Sequence, residues 1–440
     1  MPHGLGPLIQ VSSLSPFGPT PAPPFLLNSE VGPTLAVDPA DPRHLVAAWQ
    51  QDRDPPNGTG SRAIVTGVSY DGGLNWTSSV LRGLSTENDP RLTEVSVPSV
   101  SFARNGSIYL VANAGASSGP FSPFAILMSI STDGGLSWAG PVLVKSAANT
   151  LHAPSVATGT FDSDRAYCSW ILDSGAAIEF ALTTDGGTSW TPGPTPYTGT
   201  SISKNQLVAM PKRALLNAFV DRDKPPFNFG CVTLPYQGGW STTPSWITKK
   251  MQPKGIVPPT GPALPALLSA HWNPCIAVDA RTGTLFAVWE DNLAKFPPRD
   301  VIAFSMLTDG GTTWSDPIPI NANPGSASAF EPSIAVAQDG TVAVTYYDLR
   351  DPDKSWASIP TDAWMVLGPS GMDLTKSASW GSEQRLTYNS FDLHFAPAGY
   401  YLGNYQGLAA GGHSFNGFGA LFTGTVFPTD PSSIFFREFS

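Results

Sequence analysis

Four nearly identical phrases recur along the chain and constrain its fold more than any other feature. They read SYDGGLNW, STDGGLSW, TTDGGTSW and LTDGGTTW, and they contain Asp71, Asp133, Asp185 and Asp309. The last interval between these aspartates is twice the first, so one copy is missing near residue 240. There the chain reads LPYQGGWST, which looks like a degenerate copy that keeps Gly238, Gly239 and Trp240. Such a repeat indicates a fold built from similar supersecondary units.

A second repeated phrase precedes each of these turns. It is an apolar strand, a turn and another apolar strand, as in PSVSFARNGSIYLVANAG, PCIAVDARTGTLFAVWED and PSIAVAQDGTVAVTYYDLRD. Each unit therefore reads strand, turn, strand, loop, strand, Asp-Gly-Gly turn, strand. Four antiparallel strands repeated at about 40 to 60 residues are typical of a β-propeller. We predict an all-β chain with a single β-propeller domain over residues 1–440, in which seven four-stranded blades are favoured over six.

The repeats also predict where the blades lie. Their approximate bounds are 33–90, 97–147, 153–200, 206–250, 273–321, 331–389 and 406–440. The last segment offers only three strands, and residues 7–14 resemble the fourth strand of the other blades. We expect this N-terminal strand to complete the last blade, which closes the ring and removes an open sheet edge. The Pro-rich stretch 249–270 is unusually long for a link between blades, so we expect it to cover part of one face.

The repeated phrase, S/T-x-D-x-G-x-T/S-W, resembles the Asp box (BNR repeat) of the sialidase superfamily, and the repeats extend over nearly the whole chain. The resemblance implies that the turn joins the third and fourth strands of a blade, away from the active site, with its tryptophan packed between blades. Turn chemistry supports this structural role, because the aspartate accepts hydrogen bonds from its own turn and glycine permits positive φ. The chain departs from true sialidases at their Phe/Tyr-Arg-Ile-Pro signature, where it reads SEVGPTLAV. It is more similar to the broad Asp-box group called exo-α-sialidase-like.

Composition and charge narrow the class of partner. The formal net charge is −10, which argues against nucleic acid or an anionic membrane as a partner. No apolar stretch reaches the roughly 18 residues of a membrane helix, and the N-terminus does not resemble a signal peptide. Low charge with abundant Ser, Thr, Gly and Pro favours a secreted monomer, with a cytoplasmic location as the alternative. No cofactor motif or His/Cys metal spacing is present, although a structural calcium ion needs no fixed motif.

Candidate catalytic residues follow from the place where propellers bind ligands, the axial mouth at the starts of the inner strands. Glu331, in FEPSIAV, is the first acid/base candidate, because an apolar context raises a carboxyl pKa. His152 and His271 are candidates for acid/base catalysis near neutral pH, or for stacking on a sugar ring. Tyr405 is a candidate nucleophile or proton donor, since sialidases use a tyrosine nucleophile. A structural role is the alternative for each residue.

Candidate substrate-binding residues follow the second strands of several units or lie at the same mouth. Arg53, Arg222 and Arg350 occur in QQDRD, VDRDK and YDLRD, each close to an aspartate. Guanidinium groups bind carboxylates in bidentate fashion, and sialidases clamp an anionic sugar with three arginines. The alternative is that each arginine pairs with its neighbouring aspartate and stiffens the loop. The other polar candidates at the mouth are Asp52, Asp348, Glu290 and Asn404.

Three functions are consistent with this pattern. The first is a propeller enzyme that cleaves a glycosidic bond of an anionic glycan, sialyl- or uronyl-containing, by hydrolysis or β-elimination. The second is a non-catalytic propeller that binds a glycan or a protein. The third is a propeller enzyme, such as a cyclase or isomerase, that acts on a small natural product in the axial pocket. In each case the expected site lies opposite the Asp-Gly-Gly turns.

Overall fold

The chain is all-β, as the sequence predicts. The computed structural model describes residues 4–19, 24–54, 60–159, 164–172, 175–253, 273–293, 299–307, 313–321, 328–350, 358–397, 400–426 and 430–439. These residues contain thirty β-strands and four single-turn 3-10 helices, at Gly119–Phe121, Pro211–Arg213, Ser377–Ser379 and Leu393–Phe395. No helix in this part of the chain has the length and hydrophobicity of a membrane span.

The strands, numbered in chain order, pair antiparallel into seven successive units within the described residues. The first unit contains β2 (Glu30–Val37), β3 (Leu45–Arg53), β4 (Ser61–Ser69) and β5 (Thr77–Ser85). The second contains β6 (Leu92–Phe102), β7 (Ile108–Ala116), β8 (Phe124–Ser131) and β9 (Val142–Ala147). The third contains β10 (Leu151–Thr158), β11 (Ala166–Leu172), β12 (Ala177–Thr183), β13 (Thr191–Pro192) and β14 (Tyr197–Thr198). A single pairing, between Ser61 and Val95, joins the first two units into one larger sheet.

The remaining units repeat this order. The fourth contains β15 (Ile202–Ala209), β16 (Leu215–Asp221), β17 (Phe227–Leu234) and β18 (Ser245–Met251). The fifth contains β19 (Cys275–Val278), β20 (Leu285–Asp291), β21 (Val301–Leu307) and β22 (Ile318–Pro319). The sixth contains β23 (Ala329–Val336), β24 (Val342–Asp348), β25 (Pro360–Gly368), β26 (Gln384–Arg385) and β27 (Phe391–Asp392). The seventh contains β28 (Gly407–Ala410), β29 (Phe418–Gly424), β30 (Ser433–Phe439) and the N-terminal β1 (Leu5–Gln10), which pairs with β30.

Neighbouring units contact one another through their first strands and through the apolar faces of their sheets. Each first strand contacts the first strand of the next unit, and β28 contacts β2. Side chains link these strands: Ser155 Oγ accepts a hydrogen bond from the Leu207 N–H at 2.9 Å, and Gln206 Oε1 accepts one from the Ile276 N–H at 2.9 Å. The buried apolar residues of the described chain form clusters between adjacent units, and one cluster joins the seventh unit to the first.

The first strands share a backbone irregularity near their starts. Gly32, Val97, Ala153, Lys204 and Glu331 adopt positive φ values of 62°, 53°, 45°, 55° and 54°. At each of these residues the register of the β-ladder shifts by one residue, which defines a β-bulge. Proline follows four of the five residues, and a bulge tolerates proline because the backbone N–H there is not needed for pairing. The bulge therefore sets apart one side chain at the same place in each of these five units.

The Asp-Gly-Gly turns are closed by hydrogen bonds within each turn, as the sequence predicts. Asp133 Oδ1 accepts from the Ser137 N–H at 2.9 Å and from Ser131 Oγ at 2.8 Å. Asp71 and Asp185 accept the corresponding bonds in their own turns. The bonds from Ser137 and Ser131 lower the pKa of Asp133 to about 2. The turn containing Asp309 lies outside the described residues, apart from its last positions.

These turns also contact the preceding unit, at the end opposite to the starts of the first strands. The Trp76 ring packs edge-on against Phe436 with centroids 5.4 Å apart, and Trp240 of the degenerate copy packs in the same way against Phe180. The second glycine of the three fully described Asp-Gly-Gly turns lies against the preceding sheet. A Cβ atom on Gly187, where φ is +91°, would lie 2.2 Å from Cδ1 of Ile130. Tight packing and positive φ together explain why glycine occurs at this position.

Candidate functional site

A cavity of about 750 Å³ lies where the first strands of the units meet. Its wall contains residues from the first strand, or the residues just before it, of every unit. This is the end of the units opposite to the Asp-Gly-Gly turns, because each turn follows the third strand. The volume is within the range of about 300–1,000 Å³ typical of small-molecule sites.

The residues at the bulge, or at the equivalent position just before the first strand, differ sharply around the cavity. In the first three units this residue is small or apolar, namely Gly32, Val97 and Ala153. In the other four it is polar or charged, namely Lys204, Asn273, Glu331 and Tyr405. The polar side chains are therefore concentrated in four consecutive units, and the cavity is chemically asymmetric although the scaffold repeats.

Lys204 extends from the fourth unit to the seventh. Its Nζ donates a hydrogen bond to Asn404 Oδ1 at 3.4 Å, and both residues line the cavity. Burial lowers the pKa of Lys204 to about 8, while Glu331 and Glu290 act in the opposite direction. Lys204 is not among the candidates named from the sequence. Its alignment with Glu331 at the same bulge position was the signal that could have found it.

Glu331 lies behind the cavity wall, fully buried. Neither of its carboxyl oxygens has a hydrogen-bond partner in the described structure, and its N–H donates to Glu290 Oε1 at 2.6 Å. Burial and the neighbouring Glu290 raise the pKa of Glu331 well above its ordinary value, opposed by Lys204. The shift has the direction that the apolar sequence context predicts. Glu290 is also fully buried, so neither carboxyl group is exposed to a ligand in this conformation.

Three other candidates line the cavity: His152, Tyr405 and Asn404. His152 lines this space, and desolvation lowers its pKa, which favours the neutral imidazole. The Tyr405 hydroxyl donates to the Pro98 carbonyl, and burial is the main cause that raises the pKa of this phenol well above its ordinary value. His271 lies outside the described residues.

The structure does not bring the three candidate arginines together. Arg222 lines the cavity, whereas the buried Arg53 guanidinium stacks 4.0 Å above the Tyr401 ring. Arg350 donates to Asp348 Oδ2 at 2.8 Å. It also donates to a carboxylate oxygen of Glu383 at 3.0 Å, and its guanidinium carbon lies 3.4 Å from the centroid of the Trp364 ring. The three arginines therefore do not form a clamp, and of the three Arg222 alone lines the cavity.

The aspartates of these loops are also engaged away from the cavity. Asp52 accepts hydrogen bonds from Ser15 Oγ at 2.7 Å and from the Asn28 N–H at 3.0 Å. Asp348 is fully buried beside Arg350, and burial raises its pKa to about 6. Arg350 and Asp348 thus show the alternative role, in which an arginine pairs with its neighbouring aspartate, whereas Asp52 lies 3.5 Å from Arg62 rather than pairing with Arg53.

The charge of the cavity wall contrasts with that of the whole protein. Lys204 and Arg222 line the wall, and no aspartate or glutamate does so among the described residues. The chain as a whole has a net charge of −10. The cavity is thus a local positive region, which favours an anionic ligand. Within the same residues, no group of three or more His, Cys, Asp or Glu side chains is arranged to hold a metal ion.

No protein-family model matches the chain, and no curated protein matches it. Its structure is similar to solved structures of low sequence identity. A Hadza microbial sialidase is 15% identical with a TM-score of 0.47, and the match covers 72% of this chain and 63% of the sialidase, less than two thirds of it. An α-L-arabinofuranosidase from Fusarium graminearum is 15% identical with a TM-score of 0.49, covering 80% of this chain and 93% of that one. A protein of unknown function from Dyadobacter fermentans is 11% identical with a TM-score of 0.49, over all of both chains.

Proposed function

We propose that the seven units form a closed β-propeller whose axial cavity binds an anionic glycan, one that carries a sialyl or uronyl carboxylate. The observation that supports this most directly is the presence of Lys204 and Arg222 in a wall without acidic side chains among the described residues, in an acidic protein. Arg222 offers a permanent charge and the bidentate geometry that carboxylates prefer. The serine and asparagine side chains of the wall add hydrogen-bonding groups suited to sugar hydroxyls.

We further propose that the bound glycan is cleaved by β-elimination. Arg222 and protonated Lys204 hold the uronate carboxylate, which acidifies the proton on the adjacent carbon. His152, neutral because of its lowered pKa, takes this proton. The electrons form a carbon–carbon double bond, the glycosidic C–O bond breaks, and the leaving oxygen takes a proton from Tyr405 or water. Hydrolysis by two carboxyl groups is less favoured, because Glu331 and Glu290 are both fully buried.

The test is to incubate the full chain with uronyl and sialyl oligosaccharides. Elimination gives an unsaturated uronate with a new ultraviolet absorption, whereas hydrolysis releases a saturated sugar. We expect His152→Ala to lower turnover with little change in binding, and Arg222→Gln to weaken binding. The matched control is Arg43→Gln, since Arg43 is an exposed residue in the turn after β2.

The other outcomes distinguish the remaining functions. Binding that the Arg222 substitution weakens, without any product, identifies a non-catalytic glycan-binding propeller. A saturated product from sialyl substrates would show that the chain cleaves the glycan by hydrolysis and not by elimination. If neither class of oligosaccharide binds or reacts, the proposal is wrong, and a small natural product becomes the ligand to test.

A further inference from the structure

The amine of Lys204 is placed unusually for a lysine side chain. The bulge at the start of the fourth unit, where Lys204 has a φ of 55°, directs its long side chain across the cavity to the seventh unit. The hydrogen bond from Nζ to Asn404 is long, at 3.4 Å. No described carboxylate lies within ion-pair distance of Nζ. The amine therefore lies in a ligand-sized cavity, partly buried and without a salt-bridge partner among the described residues.

We propose that Lys204 is a nucleophile that condenses with the carbonyl group of a small carbonyl acid, such as the open-chain form of a uronic acid. Lysines that form such adducts are activated by removal from water and by a neighbouring positive charge. Both features are present, because Arg222 lines the same cavity and acts on Lys204. Arg222 also provides the cation that would hold the carboxylate of the same molecule. This activity is separate from glycan cleavage and does not depend on it.

The condensation needs proton transfers to and from the amine of Lys204. The groups that act on its charge are Glu331, Glu290 and Arg222, and Asn404, Tyr405 and His152 share its cavity. Neither Glu331 nor Glu290 lines the cavity, so the ammonium group loses its proton to water, and its pKa of about 8 makes this loss easy near pH 8.

The step is balanced without an oxidant, a reductant or another reactant. The nitrogen attacks the carbonyl carbon, and a carbinolamine forms. A proton from solvent then goes to the carbinolamine hydroxyl, which leaves as water, and the nitrogen loses its remaining proton or stays a protonated imine. One amine and one carbonyl thus give one imine and one water.

The experiment treats the full chain with D-glucuronate and sodium cyanoborohydride, which reduces an imine to a stable amine, and measures each labelled lysine by peptide mass spectrometry. The exposed Lys250 in the same molecule is the internal control. At pH 8 we expect Lys204 to be labelled at least about tenfold faster than Lys250, because more of its amine is neutral. This ratio should fall as the pH rises towards the ordinary lysine pKa. D-glucose, the uncharged counterpart, should label Lys204 more slowly than D-glucuronate.

Two variants separate the roles of the residues. Lys204→Arg keeps the charge and should lose the label at this position only. Arg222→Gln should remove the preference for D-glucuronate over D-glucose while Lys204 still reacts. Labelling of Lys204 no faster than that of Lys250 in the unmodified chain would overturn the proposal, and this comparison needs no variant to fold. Glycan cleavage without preferential labelling would leave the proposed function intact and reject this inference alone.

Discussion

Replacing Lys204 with methionine should stabilise the folded protein at neutral pH. Burial lowers the pKa of Lys204 from its ordinary 10.5 to about 8, so the folded state disfavours the ammonium form. At about 1.36 kcal/mol for each pH unit, this shift corresponds to roughly 3 kcal/mol. Because the side chain keeps partial contact with solvent in the cavity, we expect a gain of about 2 kcal/mol. Methionine is close to lysine in length and removes the ammonium group together with its long hydrogen bond to Asn404.

The pH dependence of this gain follows from the direction of the shift. Below pH 8 the amine is protonated in both the folded and the unfolded chain, and the full penalty is present. Between pH 8 and 10.5 the folded chain loses the proton while the unfolded chain keeps it, so the gain shrinks and then disappears. Urea denaturation of the protein and of Lys204→Met at pH 7 and pH 10 compares the full gain with a largely reduced one. The control is Lys250→Met, at an exposed position, which should change stability little.

A loss of stability in Lys204→Met at pH 7 would refute this reasoning. It would mean that the attraction between Lys204 and Glu331 exceeds the penalty for burying the ammonium group. A gain that persists unchanged at pH 10 would also contradict it, because the effect would then come from packing. The same measurement thus decides whether Lys204 is retained for stability or in spite of its cost to stability.

Three further predictions concern the scaffold. Gly187→Ala should destabilise the protein by about 2–4 kcal/mol, because its Cβ would lie 2.2 Å from Ile130, whereas Gly186→Ala, with no atom within 4 Å, should cost about 1 kcal/mol in denaturation experiments. Burial raises the pKa of Glu331, so the stability that its neutral carboxyl group contributes is lost as the pH rises from about 4.5 through the folded pKa. Between pH 5 and pH 8 the free energy of unfolding should therefore decline less in Glu331→Gln than in the unmodified protein. Arg350→Ala should cost about 3 kcal/mol, because it leaves buried Asp348 unpaired, while glycan affinity measured by calorimetric titration stays unchanged.

The fold was accessible from the sequence because its determinants are local and repeated. The hydrogen bonds of Asp71, Asp133 and Asp185 connect residues only a few positions apart, so the phrase itself contains the whole turn. The outer strands were harder to predict. The segment DPIPINA, residues 316–322, forms a strand of only two residues, Ile318–Pro319. The strand is short because each proline lacks the N–H that the β-ladder needs. Apolar content alone does not reveal this shortening.

The site was less accessible, because it depends on contacts between distant parts of the chain. The phrase YDLRD allows Arg350 either to bind a ligand or to pair with Asp348. The outcome depends on Glu383 and Trp364, which lie on other segments and hold the guanidinium group away from the cavity. Likewise, the sequence places Glu331 at the mouth but does not show that its carboxyl group lies behind the wall. Side-chain direction at a β-bulge is set by tertiary packing.

Function in a repeated fold is best sought where equivalent positions differ. The bulge position imposes positive φ, and Gly32, Val97 and Ala153 occupy it with small or apolar side chains. Lys204 and Glu331 adopt the same backbone conformation, yet they bring a charge and a buried carboxyl group that folding does not require. Since such groups cost stability unless they are paired, the retention of Lys204 points to a ligand, because Lys204 lines the cavity and buried Glu331 does not. Val97 and Ala153 also line the cavity, and their small or apolar side chains leave it open.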